Sequence, residues 1–219
     1  MNVDQQLIIG LKKLEIQTDS AIIHKFLQYM DLLQKWNHAY NLTTIKTPEK
    51  IISHHFLDSL SIYPYLNGDR FCDVGCGAGF PGIPLALILP HKQFVLIESL
   101  QKKVSFLIQV VYELGLKNVK VVHCRAEEYH PDICFDSVIT RAFSSLKMMI
   151  ETTEHLCCVD GKFLAMKGKV PTEELSELPP YIQVESINQL QIPTLNSERH
   201  LVILQKCTFK QSTENIEPC

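Results

Sequence analysis

Phe71-Cys72-Asp73-Val74-Gly75-Cys76-Gly77-Ala78-Gly79-Phe80-Pro81-Gly82 is the stretch that decides the fold. A short apolar strand pattern runs into Asp73. Gly75, Gly77, Gly79 and Gly82 follow, four of the nine glycines in the chain. Glycine has no Cβ and tolerates positive φ, so a ligand can approach bare backbone there. A strand that feeds a Gly-rich turn and then an apolar helix pattern is how α/β proteins hold nucleotide-like ligands. The stretch predicts an enzyme.

Downstream of it, short apolar runs alternate with helical patterns. Strands are expected at 70–74, 93–97, 119–123, 135–140 and 162–166, with helices at 82–89, 101–114, near 126–129 and at 144–158. Such alternation implies a parallel sheet covered on both faces. The rhythm then changes: 181–189 and 199–206 read as two strands with no helix between them, which must pair antiparallel. Five alternating strands closed by an antiparallel hairpin is the plan of the seven-stranded, Rossmann-like class I S-adenosylmethionine-dependent methyltransferases. Upstream, residues 3–16 carry a weakly amphipathic helix pattern. A second helix follows the Asp19/Ser20 cap signal and stops near Asn37, with Ile22, Ile23, Phe26, Met30, Leu33 and Trp36 on one stripe. A third starts at Thr47-Pro48-Glu49 and ends before Pro64. The expected division is therefore a helical extension at 1–66, a methyltransferase domain at 67–208 and a disordered polar tail at 209–219.

Composition narrows the class. The chain has 219 residues, 46% of them hydrophobic, with a formal charge of −3. That is enough to bury a core, and it supplies no global basic face, so any polyanion site must be a local patch. Cys72, Cys76, Cys124, Cys134, Cys157, Cys158, Cys207 and Cys219 form no Cys-x-x-Cys pair, and several lie in apolar runs as free thiols commonly do. No zinc spacing is present and no metal is expected. The N-terminus lacks a signal-peptide plan, and the longest apolar run, 81–90, is about half a membrane span. A soluble, reduced, cytoplasmic monomer is the expectation.

Three ligands compete for the Gly-rich loop. A Walker-type loop needs Gly-Lys-Ser/Thr, and no Lys follows the glycines until Lys92. A dinucleotide is closer, because Gly77-x-Gly79-x-x-Gly82 satisfies the bare fingerprint and Glu98 ends the next strand 21 residues after Gly77. Asp73, however, would repel a pyrophosphate and suit an ammonium group, while Pro81 and Pro84 reshape the helix start a pyrophosphate would use. S-adenosylmethionine has a cationic amino acid end, a sulfonium and no phosphate, and it fits better. Glu98 would accept from the ribose hydroxyls. Arg125-Ala126-Glu127-Glu128 would lie beside adenine, although an exposed helix start reads equally well there. Arg141, after the fourth strand, would bind the cofactor carboxylate or a substrate phosphate, unless it is a strand-end ion pair.

The acceptor is read from what is missing. Leu178-Pro179-Pro180-Tyr181 lacks the leading acid or amide of an adenine-amine methylation turn and falls after the wrong strand. No cysteine stands where carbon-5 pyrimidine chemistry would need its nucleophile. No dedicated base is legible after the fourth strand. A guanine N7 carries an exposed lone pair and needs no deprotonation, so orientation could suffice.

The chain to about Lys206 resembles the bacterial small-subunit ribosomal RNA guanine-N7 methyltransferase G family, also called glucose-inhibited division protein B. The resemblance rests on Lys35-Trp36-Asn37 through Tyr40-Asn41-Leu42-Thr43, His54-x-x-x-Asp58-Ser59, and the Gly loop continuing into Phe80-Pro81-Gly82-Ile83-Pro84. It continues in Lys102-Lys103-x-x-Phe106-Leu107, Arg141-Ala142-Phe143, Lys167-Gly168 and Glu198-Arg199-His200-Leu201-Val202. It implies transfer of one methyl group from S-adenosylmethionine to N7 of one guanine in 16S rRNA, as naked RNA or in the small ribosomal subunit, by direct displacement. It also implies cofactor contacts at Gly75, Phe80, Ala126, Glu127 and Arg141, beside Asp73, Gly77, Gly79 and Glu98 from the loop itself. Lys102, Lys103, Lys147, Lys167, Lys169 and Arg199 are the basic residues that could meet RNA. Rival readings are a methyltransferase of another acceptor, a dinucleotide-dependent oxidoreductase and a binding module that lost catalysis.

Overall fold

A computed structural model describes residues 2–141 and 143–207. The expected tail, Cys219 and Ala142 lie outside the described residues. Seven strands form one sheet: β1 (Arg70–Val74), β2 (Gln93–Glu98), β3 (Val119–His123), β4 (Phe135–Thr140), β5 (Cys157–Lys167), β6 (Ile182–Gln189) and β7 (His200–Lys206). Their order is β3-β2-β1-β4-β5-β7-β6. β1 to β5 run parallel, and β7 pairs antiparallel with both β5 and β6. The order reverses between β1 and β4, so a cleft opens above the carboxyl ends of those two strands, where open α/β sheets bind ligands.

Helices α1 (Val3–Lys13) and α2 (Ser20–Tyr40) precede the sheet, followed by α3 (Pro48–Ile51), a π-helical segment (Ile52–Leu57) and α4 (Asp58–Leu60). Within the sheet region come α5 (Gly82–Ile88), α6 (Gln101–Glu113), α7 (Leu146–Thr153) and α8 (Thr172–Ser176). No described helix is long and apolar enough to cross a membrane. Asp19 caps α2 as expected, its Oδ1 accepting from Ile22 N at 2.9 Å. The helix runs three residues past Asn37 because Asn41 closes it in the left-handed region at φ 50°. α1 is shorter than expected, stopping before Glu15 at φ 58°.

Alternation of side chains sorts the core onto the two faces. Phe71, Phe94, Leu96, Ile139, Leu164 and Met166 point to one side, Cys72, Val74, Val95, Ile97, Val138 and Phe163 to the other. α7 covers the second face through Leu146, Met149 and Ile150. The first face is covered by α5, α6 and the N-terminal helices together, in one cluster that includes Leu7, Phe26, Tyr29, Leu33, Phe56, Phe80, Ile83 and Phe106. The change of element type near residue 66 is therefore no break in the core. Trp36, half-buried, packs on Phe106 at 5.7 Å between ring centroids, in keeping with its place on the apolar stripe.

Two local expectations are corrected. Residues 144–158 are not one helix: α7 ends at Thr153, and Cys157 already pairs with Phe135 as the start of β5. Beside that pairing the Cα atoms of Cys134 and Cys158 lie 5.1 Å apart, and the two are disulfide-bonded rather than free thiols. Spacing could not reveal this, because the partnership depends on strand register.

Tyr29 joins the helical extension to the Gly-rich loop. It is wholly buried, stacks on Phe56 and Phe80 at 5.4 Å each, and donates its hydroxyl proton to Ala78 O. Tyr29→Phe keeps the stack and strands that carbonyl, so urea denaturation should read a loss of about 1–3 kcal/mol. An unchanged midpoint and slope would remove this bond from the account.

Candidate functional site

The site begins with why the loop after β1 stays bare. Gly75 and Gly77 have φ of 66° and 63°, and a Cβ built on Gly75 would meet nothing within 4 Å. Their open side faces the cleft. Gly79 and Gly82 do the opposite work: a Cβ on Gly79 would come within 2.6 Å of Ile83 and 2.8 Å of Tyr29 Oη, and one on Gly82 within 2.2 Å of Leu96. The loop is thus open above and packed below.

Two carboxylates fix its course. Asp73 Oδ2 accepts from Gly82 N at 2.7 Å. Glu98 Oε2 accepts from Gly77 N at 3.0 Å, and Oε1 from Leu100 N at 2.9 Å. Both acids are buried, so Asp73 lies beneath the loop and not at its mouth. Its Oδ1 is buried and has no hydrogen-bond partner among the described residues. An unpaired acceptor beneath bare backbone fits a ligand with an ammonium group and disfavours a pyrophosphate. Glu98 keeps its carboxylate at the end of β2 with lone pairs left to accept from a diol. These residues fit S-adenosylmethionine on the chemistry of their donors and acceptors.

Across the switch point stands Arg141, just past β4. Its guanidinium carbon lies 5.2 Å from the Phe80 ring centroid, and Nη1 is 3.3 Å from Asp58 Oδ2. Arg199 reaches the other oxygen of the same carboxylate, Nε to Oδ1 at 3.1 Å. It can do so because antiparallel β7 begins at the edge where β5 ends, with His200 paired to Lys167. Burial pushes the Asp58 carboxyl up, against the downward pull of both arginines. His55 completes the group. Its ring stacks on Phe80 at 4.3 Å, Nε2 lies 2.9 Å from Thr43 Oγ1, and Nδ1 lies 3.4 Å from Arg141 Nη2. Burial first, and Arg141 second, lower its pKa to about 3, so the ring is neutral near pH 7. A cavity of about 400 Å³ opens here, lined by His54, His55, Asp58, Arg141, Lys167 and Arg199 among others.

The residues expected from the sequence divide accordingly. Asp73, Gly75, Gly77, Gly79, Phe80, Glu98 and Arg141 come together in and around the Gly-rich loop, linked by the Gly77–Glu98, Gly82–Asp73 and Phe80–Arg141 contacts. Ala126 and Glu127 lie on a 3-10 turn after β3, Ala126 buried against the sheet and Glu127 exposed. Of the basic residues, Lys167 and Arg199 line the cavity, while Lys102, Lys147 and Lys169 are exposed outside it. Lys103 turns to the loop, its Nζ 3.6 Å from Glu98 Oε2. The sequence pattern by itself assigns Asp58 and His55 no role. Their signal was the apolar helix stripe itself, which carries a buried acid and a buried imidazole where aliphatic residues would do.

Fold and site together define a class I S-adenosylmethionine-dependent methyltransferase architecture. Solved structures share it: a SAM-dependent methyltransferase from Aquifex aeolicus has a TM-score of 0.56 at 17% identity, covering 75% of this chain and 96% of that one. TrmN from Thermus thermophilus has a TM-score of 0.54 at 14% identity, covering 71% and 53% respectively. The sequence model described as rRNA small subunit methyltransferase G matches residues 22–202, and the chain belongs to that family. Curated relatives with the name ribosomal RNA small subunit methyltransferase G include one from Aeromonas salmonicida, 49% identical over 81% of this chain and 86% of its own. One from Escherichia coli is 46% identical over 91% and 97%.

Burial raises the Asp73 carboxyl from 3.8 to about 7, with Glu98 adding to the rise and the Gly82 N–H and Arg141 opposing it. The unfolded chain releases this proton near pH 4, the folded chain near 7. Between those values the folded state binds more protons, so rising pH costs stability there and the cost is level above. Asp73→Asn cannot ionise. Its stability relative to the parent should therefore climb from about pH 4 to about pH 7 and then stay flat, as thermal melts can read. A relative stability of Asp73→Asn that stays flat or falls between about pH 4 and about pH 7 would contradict the raised pKa of the buried carboxyl.

Proposed function

We propose that the chain methylates N7 of a guanine in small-subunit ribosomal RNA, with S-adenosylmethionine as donor. The observation that carries the reading is the cluster of Arg141, Lys167 and Arg199 around one cavity, with Arg141 stacked over Phe80 of the Gly-rich loop. The cavity and the cofactor cleft thus share a wall. Asp58 offsets one of the arginines and Glu174, 2.8 Å from Lys167 Nζ, offsets the lysine. The wall so keeps one net positive charge that suits an RNA phosphate, and an arginine fork also suits guanine O6. When bound, the donor would supply an electrophilic methyl group: the N7 lone pair would form the N–CH3 bond as the sulfonium–methyl bond breaks and S-adenosylhomocysteine leaves, with no proton having to leave guanine.

This chemistry asks little of an acid or base and much of geometry. Asp58 supplies geometry, because one buried carboxylate holds two arginines from distant parts of the chain. His55 supplies it as well. Neutral, stacked and hydrogen-bonded, it fixes Arg141 against Phe80 without adding a fourth charge. Positive charge passes to the guanine ring on methylation, and among the described residues Asp58 is the one carboxylate in the cavity lining.

Radiolabelled S-adenosylmethionine, incubated with the protein and either unmodified 16S rRNA or small subunits, should place label on one guanine, mapped by borohydride and aniline cleavage. Arg141→Ala should lower kcat/KM by about 10²-fold, the usual cost of misplacing reactants. Label on a position other than N7, or on neither RNA substrate, would overturn the acceptor reading and favour a methyltransferase of another acceptor.

A further inference from the structure

Lys102 and Lys103 sit side by side in the first turn of α6, but their surroundings differ. Lys102 is exposed. Lys103 is folded back: its side chain is 25% exposed, its Nζ lies 3.6 Å from Glu98 Oε2, and a Cβ on Gly77 would lie 3.9 Å from it. It therefore stands over the open side of the bare backbone. Among the described residues that ammonium makes an ion pair longer than a hydrogen bond and no hydrogen bond at all. Its three donors remain available to something in the cleft.

The position also runs against local preference. The first turn of a helix favours acids and disfavours cations by about 0.3–1 kcal/mol. α6 has no acidic residue there, no side-chain cap, and two lysines. Departures of this kind are expected where a residue serves a site rather than the fold. The neighbours give the reason. Glu98 is a buried acid that ties the loop, and Lys103 is the cation that faces it from α6.

We infer that Lys103 is a cofactor-contacting residue: its ammonium donates to the ribose hydroxyls of the methyl donor while Glu98 accepts from them. The inference rests on the reading of S-adenosylmethionine as donor, and it moves Lys103 out of the RNA-binding set. Clamped between an acceptor and a donor, the ribose diol is held over Gly77 with defined orientation.

The test is binding, with no turnover needed. Calorimetry should show the wild-type protein binding both S-adenosylhomocysteine and 5′-methylthioadenosine, which keeps the ribose and lacks the amino acid end. Lys103→Met should weaken both by roughly ten- to hundredfold, the worth of a charge-assisted hydrogen bond. Lys103→Arg should recover most of the loss, and Lys102→Met should lose nothing. Affinity for 16S rRNA, and its slope against salt, should not change in Lys103→Met. A Lys103→Met protein that binds both ligands within twofold of wild type would overturn the inference. So would a loss confined to S-adenosylhomocysteine, or one seen in rRNA affinity alone. If wild type binds neither ligand, the donor reading itself falls, and the inference falls with it.

Discussion

Everything in the site depends on keeping the backbone of Gly75 and Gly77 bare and still. Bare backbone is costly to order, because glycine loses more freedom on folding than other residues. The structure offsets that cost from below. Gly79 is pinned among Ile83, Tyr29 and Leu107, Gly82 against Leu96 and Asp73, and Gly77 is tied to Glu98. Much of that support belongs to other parts of the chain. Tyr29 comes from α2, and Phe56, in the π-helical segment, packs on both Tyr29 and Phe80. The N-terminal helices thus support the Gly-rich loop from below as well as covering the sheet.

The second dependence is electrostatic. Asp58, Arg141 and Arg199 lie 83 and 141 residues apart along the chain as measured from Asp58, and they meet only because of topology. β4 ends at the switch point, and β7, being antiparallel, starts at the edge where the parallel strands finish. A parallel last strand would have delivered Arg199 to the opposite edge. Breaking such a buried pair by removing one partner leaves an uncompensated charge, which is why Asp58 matters more than its modest place in a short helix suggests.

Legibility in the sequence followed the range of the interaction. The Gly-rich loop, the strand–helix alternation, the Asp19 cap and the antiparallel closing strands all depend on residues close in the chain, and each could be read there. Contacts set by register or by packing could not. The Cys134–Cys158 bond depends on how β4 meets β5, and the direction of Lys103 depends on a rotamer over Gly77. The apolar helix stripe marks His55 and Asp58 as buried polar residues, but Arg141 and Arg199, the partners that give them a role, are distant in the chain. The extra helix α8 is five residues long, too short for periodicity to detect. The boundary at residue 66 was read from a change of element type, and the shared core crosses it because packing does not respect chain order.

The most direct measurement of the account is a crystal structure with S-adenosylhomocysteine bound. The account predicts the ligand lying over Gly75 and Gly77, its ribose at Glu98 and its ammonium directed at Asp73, with the loop backbone and Tyr29 unmoved. A ligand held elsewhere, or a loop that must rebuild and release Tyr29 to receive it, would contradict the claim that this backbone is a preformed cofactor cradle.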